Sequence, residues 1–262
     1  MSTPNLPSFS SKTCLVTGGA GGVGKVIAEA FLRAGANVVV CDINQERLAD
    51  ASTELSNFGS LTTFVVDITR EEEVQHLFDA ITVKFGKLDI LINNAGIIDR
   101  FQPVGDMDVD IWNRVIAINL TAPMLVSKLA VNSMLTANTG GCIINIASVA
   151  AKAGMVSGAA YATSKHGLLG LTKHTAAFYG EKGIGCVALM LGRMPDTNIL
   201  ESMTNAHEEG LRMARKVLSA GDARPVSMET VAGYCVMLAQ DNCRLLNGAC
   251  IGADGGLGCV LG

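Results

Sequence analysis

Three polar residues in the second half of the chain have a spacing suited to acid–base chemistry. Ser148 follows a strand-like apolar run, and Tyr161 and Lys165 lie four positions apart in the helix-like stretch that comes next. Residues four apart share one face of a helix, so the phenol and the ammonium would be neighbours. A lysine cation favours the phenolate of a tyrosine, whose ordinary pKa of about 10 makes it a poor base near neutrality. With Ser148 holding a substrate oxygen, this set predicts proton exchange with an alcohol or a ketone.

A glycine-rich loop near the start of the chain indicates a different chemistry. It reads Thr-Gly-Gly-Ala-Gly-Gly-Val-Gly over residues 17–24, between a strand-like run and a helix-like run. Gly18, Gly22 and Gly24 allow a tight turn and a close approach of the backbone to a pyrophosphate, which the N-terminus of the following helix attracts. Such loops also occur as plain turns, but the strand–loop–helix context predicts a dinucleotide-binding site.

The acidic residue Asp42 ends the second strand-like run. A carboxylate there can accept hydrogen bonds from the ribose hydroxyls of the adenosine, and it repels a 2′-phosphate. No lysine or arginine precedes Gly22 in the loop, and Ile43 follows Asp42, so no cation is placed for the extra phosphate. The sequence therefore favours NAD over NADP. The alternative for Asp42 is a helix cap or turn residue, a role that Asn44 would fill equally well.

The composition argues against several classes of protein. The chain has 262 residues, of which 49% are hydrophobic and 17% charged, and its net charge is -4. This balance is typical of a compact globular protein and leaves no basic stripe for nucleic acid. We expect no membrane span, because no apolar run approaches roughly 18 residues, and no secretory signal in residues 1–11. The eight cysteines and four histidines are scattered, which indicates free thiols in a cytoplasmic compartment and no metal site.

Short β-branched runs alternate with longer runs of helical period, which predicts repeated βαβ units. We expect a short tail over residues 1–11 and a single domain over 12–262, with a helical excursion around 192–217. The predicted fold is α/β, a Rossmann-type doubly wound parallel sheet of about seven strands with helices on both faces. Predicted strands are 13–17, 36–41, 63–66, 88–92, 142–146, 185–191 and 249–252. Predicted helices are 22–34, 45–55, 71–85, 108–135, 159–179, 198–217 and 228–240.

Together these motifs make the chain resemble the short-chain dehydrogenase/reductase family over nearly its whole length. The family pattern T-G-x-x-x-G-x-G is met at residues 17–24, N-N-A-G at 93–96 and Y-x-x-x-K at 161–165. Ser148 stands thirteen residues before the tyrosine, as in the family, and Asn119 matches the helix asparagine of the family's catalytic tetrad. The closing D-G-G at residues 254–256 matches a mainly structural motif.

The resemblance implies a role for each of these residues. Tyr161 would be the acid/base, and Ser148 the ligand of the substrate oxygen. Lys165 would bind a ribose and act on Tyr161 electrostatically, and Asn119 would anchor a water that leads protons to solvent. The implied coenzyme is NAD, with NADP less favoured. Its implied contacts are Gly18, Gly22, Val23, Gly24, Asp42, Asp67, Ile68, Asn94, Tyr161, Lys165 and Gly192.

One segment departs from the family pattern. Where most relatives have N-A-x-x-P-G-x-x-x-T, residues 188–197 read Ala-Leu-Met-Leu-Gly-Arg-Met-Pro-Asp-Thr. Gly192 still fits a backbone passage beside the nicotinamide, but Thr197 falls one residue late for the usual carboxamide contact. Apolar residues here predict either an apolar substrate pocket or packing of the excursion on the sheet. The candidate substrate contacts are Met155, Arg193 and Met194.

The sequence supports a leading function and two alternatives. The leading function is NAD-dependent hydride transfer between a secondary alcohol and a ketone, acting on a small, largely hydrophobic molecule. The first alternative is an epimerase, dehydratase or cyclase on the same fold, and the second is a non-catalytic dinucleotide-binding scaffold. The complete tetrad argues against the scaffold. The resemblance also implies a homodimer or homotetramer formed through helices around 113–135 and 161–179.

Overall fold

Seven parallel strands form the central sheet of this computed structural model, which describes residues 8–194, 197, 199, 205–219, 224–240 and 242–261. In chain order the strands are β1 Thr13–Thr17, β2 Asn37–Asp42, β3 Leu61–Val65, β4 Ile90–Asn93, β5 Gly141–Ser148, β6 Ile184–Leu191 and β7 Cys250–Ala253. Across the sheet they follow the order β3-β2-β1-β4-β5-β6-β7. The predicted doubly wound, Rossmann-type α/β fold is therefore confirmed, and its order reverses between β1 and β4.

Helices cover both faces of this sheet. They are α1 Gly22–Arg33, α2 Gln45–Leu55, α3 Glu71–Phe85, α4 Val109–Ile116, α5 Ala122–Ala137, α6 Ala159–Tyr179, α7 Glu208–Ser219, α8 Met228–Leu238, α9 Asn242–Leu245 and α10 Leu257–Val260. One face packs against α1, α2 and α8, and the other against α3 and α5. Along β1, Cys14 and Val16 belong to the first core and Leu15 to the second, because successive strand residues point to opposite faces.

The helix boundaries show how local side chains start each helix. The Asn44 side chain accepts a hydrogen bond from the backbone N–H of Arg47 at 3.0 Å and so caps α2. The cap role that was an alternative for Asp42 therefore belongs to Asn44. Asp108 caps α4 in the same way, through the N–H groups of Asp110 and Ile111.

The helix predicted over 108–135 is present as one helical run that contains a wide turn. α4 ends at Ile116, a wide π-type turn follows over Ala117–Thr121, and α5 begins at Ala122. Apolar spacing continues through the turn, so the pattern alone did not reveal it. The predicted helix 198–217 corresponds to α7, which begins only at Glu208. Residues 198 and 200–204 of that prediction lie outside the described residues, as do 1–7 of the predicted tail.

Several strands differ from prediction by one or two residues. The second strand is Asn37–Asp42 rather than 36–41, the third Leu61–Val65 rather than 63–66, and the fourth Ile90–Asn93 rather than 88–92. Register with the neighbouring strands sets these ends, since Asp42 pairs with Val65. Asp42 is therefore the last residue of β2, at the edge of the sheet where ligands bind in this fold.

The helical run Val109–Ala137 is the one described helix that is long and apolar enough, by length and composition, to cross a membrane. Polar residues divide this helix into short apolar runs, so the sequence predicted no membrane span here. In the structure Val126, Ala130 and Met134 of this run pack into the core between the sheet and α3. The run therefore serves as a core helix of the domain.

Candidate active site

A cleft of about 760 Å³ opens at the carboxyl ends of the strands, where the sheet order reverses. Its walls include Asp42 and Gly18 on one side and Ser148, Tyr161 and Lys165 on the other. Ligands of doubly wound sheets bind at this position because the loops leaving β1 and β4 diverge there. The two sets of residues singled out by sequence thus border one continuous space.

The glycine-rich loop is packed so closely that side chains would not fit. Gly18 has φ +62°, and a Cβ there would lie 2.8 Å from the Cα of Ala95. A Cβ on Gly24 would meet the carbonyl oxygen of Gly18 and lie 2.5 Å from the amide nitrogen of Asn94. No side-chain cap is formed at the start of α1, so its first N–H groups are available to an anion.

The far end of the cleft carries the residues predicted to face the adenosine. The Asp42 carboxylate accepts hydrogen bonds from the N–H groups of Ala20 at 3.3 Å and Asn44 at 3.0 Å. These two bonds fix the carboxylate at the cleft wall. Asp67 and Ile68 line the same region. Arg47, in the first turn of α2, lines it as well and was not identified from the sequence.

Asn94 ties the loop after β4 to the glycine-rich loop. Its side-chain amide donates to the carbonyl oxygens of Thr17 at 3.0 Å and Gly18 at 3.1 Å. The Thr17 hydroxyl in turn accepts from the backbone N–H groups of Asn94 and Ala95. The predicted coenzyme contact at Asn94 therefore also holds the cradle in shape.

The predicted catalytic residues converge at the other end of the cleft. Ser148 is the last residue of β5, and its hydroxyl lies close enough to the phenol of Tyr161 to lower the pKa of that phenol. The ammonium of Lys165 lies 5.6 Å from the centre of the Tyr161 ring and donates to the carbonyl oxygen of Ile146 at 2.9 Å. Tyr161 is 7% exposed and Lys165 4% exposed. Two titratable groups are thus held in a nearly dry wall.

Burial shifts the pKa values of both groups toward their uncharged forms. Burial raises the pKa of Tyr161 to about 12, although the nearby hydroxyl of Ser148 acts in the opposite direction. Burial also lowers the pKa of Lys165 from 10.5 to about 8. Burial therefore favours the protonated phenol in the protein by itself, and the prediction that Lys165 favours the phenolate stays a prediction.

Asn119 lies in the wide turn between α4 and α5 and is fully buried. Its amide oxygen accepts from the N–H of Ile97 at 2.9 Å, and its amide nitrogen donates to the carbonyl oxygen of Ile97 at 2.8 Å. A Cβ on Gly96 would lie 3.3 Å from this amide oxygen and 3.6 Å from the Lys165 ammonium. The loop after β4, the wide turn and α6 therefore meet at Asn119, which does not itself line the cleft.

Comparison with known proteins gives a consistent answer. Residues 12–208 match the family model described as short chain dehydrogenase. The chain is 55% identical, over 98% of its length and 97% of the relative's, to short chain dehydrogenase/reductase dpfgG of Gibberella zeae. The chain belongs to the short-chain dehydrogenase/reductase family. As a member of that family it is an oxidoreductase.

Two further relatives of this short-chain dehydrogenase add detail. 3beta-hydroxysteroid dehydrogenase 2 of Eggerthella lenta is 36% identical over 95% of the chain and 96% of the relative. A solved structure of a putative NAD(P)-dependent gluconate 5-dehydrogenase from Beutenbergia cavernae, with bound NADP at low occupancy, superposes with a TM-score of 0.82. It is 30% identical, over 95% of this chain and 98% of that one. The sheet described above is thus the family's fold.

The residues of this short-chain dehydrogenase fit a nicotinamide dinucleotide. A cradle that a Cβ would fill lies beside an uncapped helix N-terminus, as a pyrophosphate requires. A fixed carboxylate at Asp42 lies where a ribose would be bound, and the cleft continues to Tyr161. NAD and NADP share the features that this geometry accommodates.

The substrate end of the cleft differs in part from the sequence prediction. Gly192, Arg193, Met194 and Thr197 all line it. Met155 instead is 47% exposed and lies outside the cleft wall, because the short turn that carries it directs the next residue, Val156, inward. Met155 therefore has no contact with the cleft in this structure.

Sequence reasoning missed a buried acidic residue next to the catalytic helix. Asp99 is 1% exposed, and its carboxylate accepts a hydrogen bond from the backbone N–H of Tyr161 at 2.9 Å. It belongs to no motif that we recognised. The available signal was indirect: α6 begins after Gly158, which has no side chain to cap a helix, so another residue had to supply the acceptor.

Proposed function

We propose that this protein interconverts a secondary alcohol and a ketone using NAD, with Tyr161 as the acid/base. One observation carries the proposal: Tyr161 lies beside the buried Lys165 and shares with Ser148 the wall of a cleft that begins at the glycine-rich loop. A non-catalytic scaffold has no need of this arrangement. The pKa of Tyr161, raised to about 12, also gives the protein alone a phenol that keeps its proton near neutrality.

The chain's own residues would perform the proton transfer and the positioning. Ser148 would hold the substrate oxygen next to Tyr161, whose phenolate would accept the hydroxyl proton during oxidation and whose phenol would donate it during reduction. Lys165 would stabilise the phenolate that oxidation requires. Nicotinamide, when bound, supplies the hydride acceptor or donor. The proposed coenzyme contacts are Gly18, Gly22, Val23, Gly24, Asp42, Asp67, Ile68, Asn94, Tyr161, Lys165 and Gly192.

Preference for NAD is part of the proposal. It is supported by Asp42, whose carboxylate is held at the cleft wall by two backbone N–H groups and would oppose a 2′-phosphate. Arg47 lines the same end of the cleft and would act in the opposite sense. Because the carboxylate is held in place by two backbone N–H groups, we give it the greater weight.

A bulky hydrophobic alcohol is the substrate class that the cleft favours. Beyond Ser148 the walls are mostly apolar, and the side chains that form them are Ile97, Phe101, Val149, Val156, Ile199 and Leu218. Such walls bind extended carbon skeletons and offer few hydrogen bonds for sugars. The relative named 3beta-hydroxysteroid dehydrogenase 2 supports this class, since a hydroxysteroid is an alicyclic secondary alcohol.

The test is a screen of alicyclic secondary alcohols and ketones with NAD and with NADP, monitored by the absorbance of the reduced nicotinamide. We expect stoichiometric turnover, faster with NAD, and a loss of roughly a hundredfold or more in the variant Tyr161→Phe. The same variant should bind NAD as the wild type does. Product formation without net change in coenzyme absorbance would instead indicate an epimerase, dehydratase or cyclase. Full activity of Tyr161→Phe would refute the assignment of the acid/base.

Self-association is also proposed, as a homodimer or homotetramer. Large apolar side chains are exposed on the helices that the resemblance indicated, namely Met124 and Leu135 on α5 and Phe178 on α6. A second copy covering these residues would remove them from water. Sedimentation of the purified protein tests this, because a monomer at micromolar concentration would contradict it.

A further inference from the structure

A carboxylate from the loop after β4 caps the catalytic helix from outside. Asp99 Oδ1 accepts from the N–H groups of Phe101 at 3.0 Å and Gly158 at 2.9 Å, and Oδ2 accepts from the N–H of Tyr161 at 2.9 Å. Gly158 is the N-cap residue of α6, and Tyr161 is its third helical residue. The N–H of the third residue is the usual target of a capping side chain. Here a residue far away in sequence supplies that acceptor.

Gly158 and Asp99 occupy complementary space. Gly158 has φ -80° and ψ 175°, the extended conformation of an ordinary N-cap residue. A Cβ at Gly158 would lie 2.5 Å from Asp99 Oδ2 and 2.7 Å from Oδ1. The carboxylate therefore stands where the side chain of a serine or aspartate cap would be. Glycine is required by this contact and not by its backbone angles.

The capped loop also contacts the rest of the substrate side. The N–H of Ala159 donates to the carbonyl oxygen of Gln102 at 3.0 Å, and the N–H of His207 donates to that of Arg100 at 2.7 Å. Asn119 fixes the start of the same loop at Ile97. The segment 97–102 is thus bonded to the catalytic helix, the wide turn and the start of α7, and a change at Asp99 acts on a held backbone.

We propose that Asp99 is a positioning residue for Tyr161: its carboxylate fixes the backbone of the tyrosine and places a buried negative charge next to it. The proposal rests on the proposed role of Tyr161 as the acid/base. Asp99 touches neither the cleft wall nor the substrate oxygen site and acts through the tyrosine.

The charges around Tyr161 support the electrostatic part. Asp99 from the β4 loop raises the pKa of Tyr161, in addition to the larger effect of burial, whereas Ser148 from β5 lowers it. Lys165, on the same helix, is the buried cation nearest to the ring. From α4 and α10, the apolar side chains of Val115 and Leu257 pack in the same hydrophobic cluster as the Tyr161 ring. Arg114 and Arg193 line the wider cleft.

A direct titration of the phenol tests the proposal without turnover. The chain has three tyrosines, and uniform replacement by 3,5-difluorotyrosine lowers the pKa of each phenol into a range where the fold is kept. The ¹⁹F signal of residue 161 is assigned by its loss in Tyr161→Phe. For Asp99→Asn we expect the midpoint of this signal to fall by roughly 0.5 to 1 pH unit, since a nearby negative charge is removed.

A double variant separates the charge from the cap. In Asp99→Ala with Gly158→Ser, the serine hydroxyl can accept from the N–H of Tyr161, which restores the cap without the carboxylate. We expect this protein to unfold at a higher temperature than Asp99→Ala alone, although the N–H groups of Phe101 and residue 158 stay without the carboxylate, and to keep the lowered phenol midpoint. It also covers the case in which Asp99→Asn folds poorly. Asp89→Asn is the control, because it removes a buried carboxylate at the opposite end of β4 and should leave the midpoint unchanged.

The outcomes are distinguishable from failure of the proposed function. If no alcohol is oxidised but the midpoint falls in Asp99→Asn, the placement of Asp99 stands and the proposed function fails. An unchanged midpoint in both Asp99 variants would overturn the electrostatic role. With an active substrate, we expect the pH profile of alcohol oxidation in the double variant to move to lower pH by the same amount. A wild-type profile in that variant would reduce Asp99 to a structural cap and overturn the proposal.

Discussion

Two buried carboxylates flank β4, and they have different partners. Asp89 precedes the strand and is 3% exposed; it pairs with Lys12 at 3.0 Å and Lys87 at 2.7 Å and accepts from the N–H of Thr13. Asp99 follows the strand and is bonded only to backbone N–H groups in the described part of the chain. Asp89 has cations beside it, whereas no ion pair of Asp99 is found among the described residues.

The contrast indicates that the carboxylate before β4 serves stability and the carboxylate after it serves chemistry. Burial acts to raise the pKa of Asp89, but hydrogen bonds from Lys87, Thr13 and Lys12 outweigh it and lower the pKa. At the carboxyl ends, Lys165 is likewise buried with a carbonyl oxygen as its hydrogen-bond partner, and its pKa is lowered. A charge without a counter-ion destabilises the fold but remains free to act on a neighbour.

The largest expected effect is at Lys165. In Lys165→Met we expect turnover to fall by roughly a hundredfold or more, because the phenolate loses its nearby cation. The same change should stabilise the fold at neutral pH by about 2 kcal/mol. The lowered pKa corresponds to an unfavourable contribution of the buried ammonium to the stability of the fold of about 3 kcal/mol. Replacing the lysine removes this contribution but also removes the hydrogen bond to Ile146, which is worth about 1 kcal/mol.

The pH dependence of this gain checks its cause. Lys165 binds its proton less tightly in the folded protein, so the unfavourable contribution is complete below pH about 8 and disappears toward pH 10.5. Urea unfolding of both proteins across this range should show the advantage of Lys165→Met shrinking as pH rises. A constant advantage would point to packing instead.

The next effect is at the coenzyme end of the cleft. In Gly24→Ala the new Cβ meets Gly18 and Asn94, so the cradle must open and we expect the dissociation constant of NAD to rise by about tenfold or more. Gly233→Ala is the matched control, since Gly233 also lies in a helix but has open space around it. Calorimetric titration with NAD should show no change for the control.

Asp89 should give a loss of stability without a loss of chemistry. For Asp89→Asn we expect the free energy of unfolding to fall by about 2 kcal/mol, since bonds from two ammonium groups are weakened. Because the pKa of Asp89 is lowered in the folded protein, this stabilisation is complete above the ordinary pKa of 3.8. It is lost as the pH falls through the lower pKa of the folded protein. Turnover per folded molecule should stay at the wild-type level, and a large fall would erase the contrast drawn above.

The smallest effect compares two adjacent residues. Val156 lines the cleft and Met155 does not. We expect Val156→Ala to raise KM for a hydrophobic substrate by roughly three- to tenfold, through lost apolar contact, and Met155→Ala to leave it unchanged. Equal effects would mean that Met155 turns inward when substrate binds.

Local patterns predicted most of the fold and the centre of the site. The strand runs are apolar throughout because both faces of the sheet are covered, and their alternation with helices sufficed for the topology class. The glycine loop and the spacing of Tyr161 and Lys165 are short-range features, so their placement followed from the sequence. The strand ends shifted because pairing with neighbours decides them.

What could not be predicted depends on contacts between distant segments. The cap that Asp99 provides to α6 joins residues about sixty positions apart, and no local rule indicates it. Met155 was predicted to contact the substrate because methionine suits apolar pockets, but the geometry of the turn at 154–156 directs Val156 into the cleft instead. The raised pKa of Tyr161 could not be predicted, because burial is not visible from spacing alone.

The wide turn at Ala117–Thr121 has a consequence for how a single long helix serves two surfaces. One extra residue in a turn rotates everything after it by about 100° around the axis. Val115 before the turn therefore faces the Tyr161 cluster, whereas Val126 after it faces the sheet. Shortening this turn by one residue would rotate the apolar face of α5 away from the sheet while α4 kept its place. The wide turn therefore lets one helical run pack against both the Tyr161 cluster and the sheet.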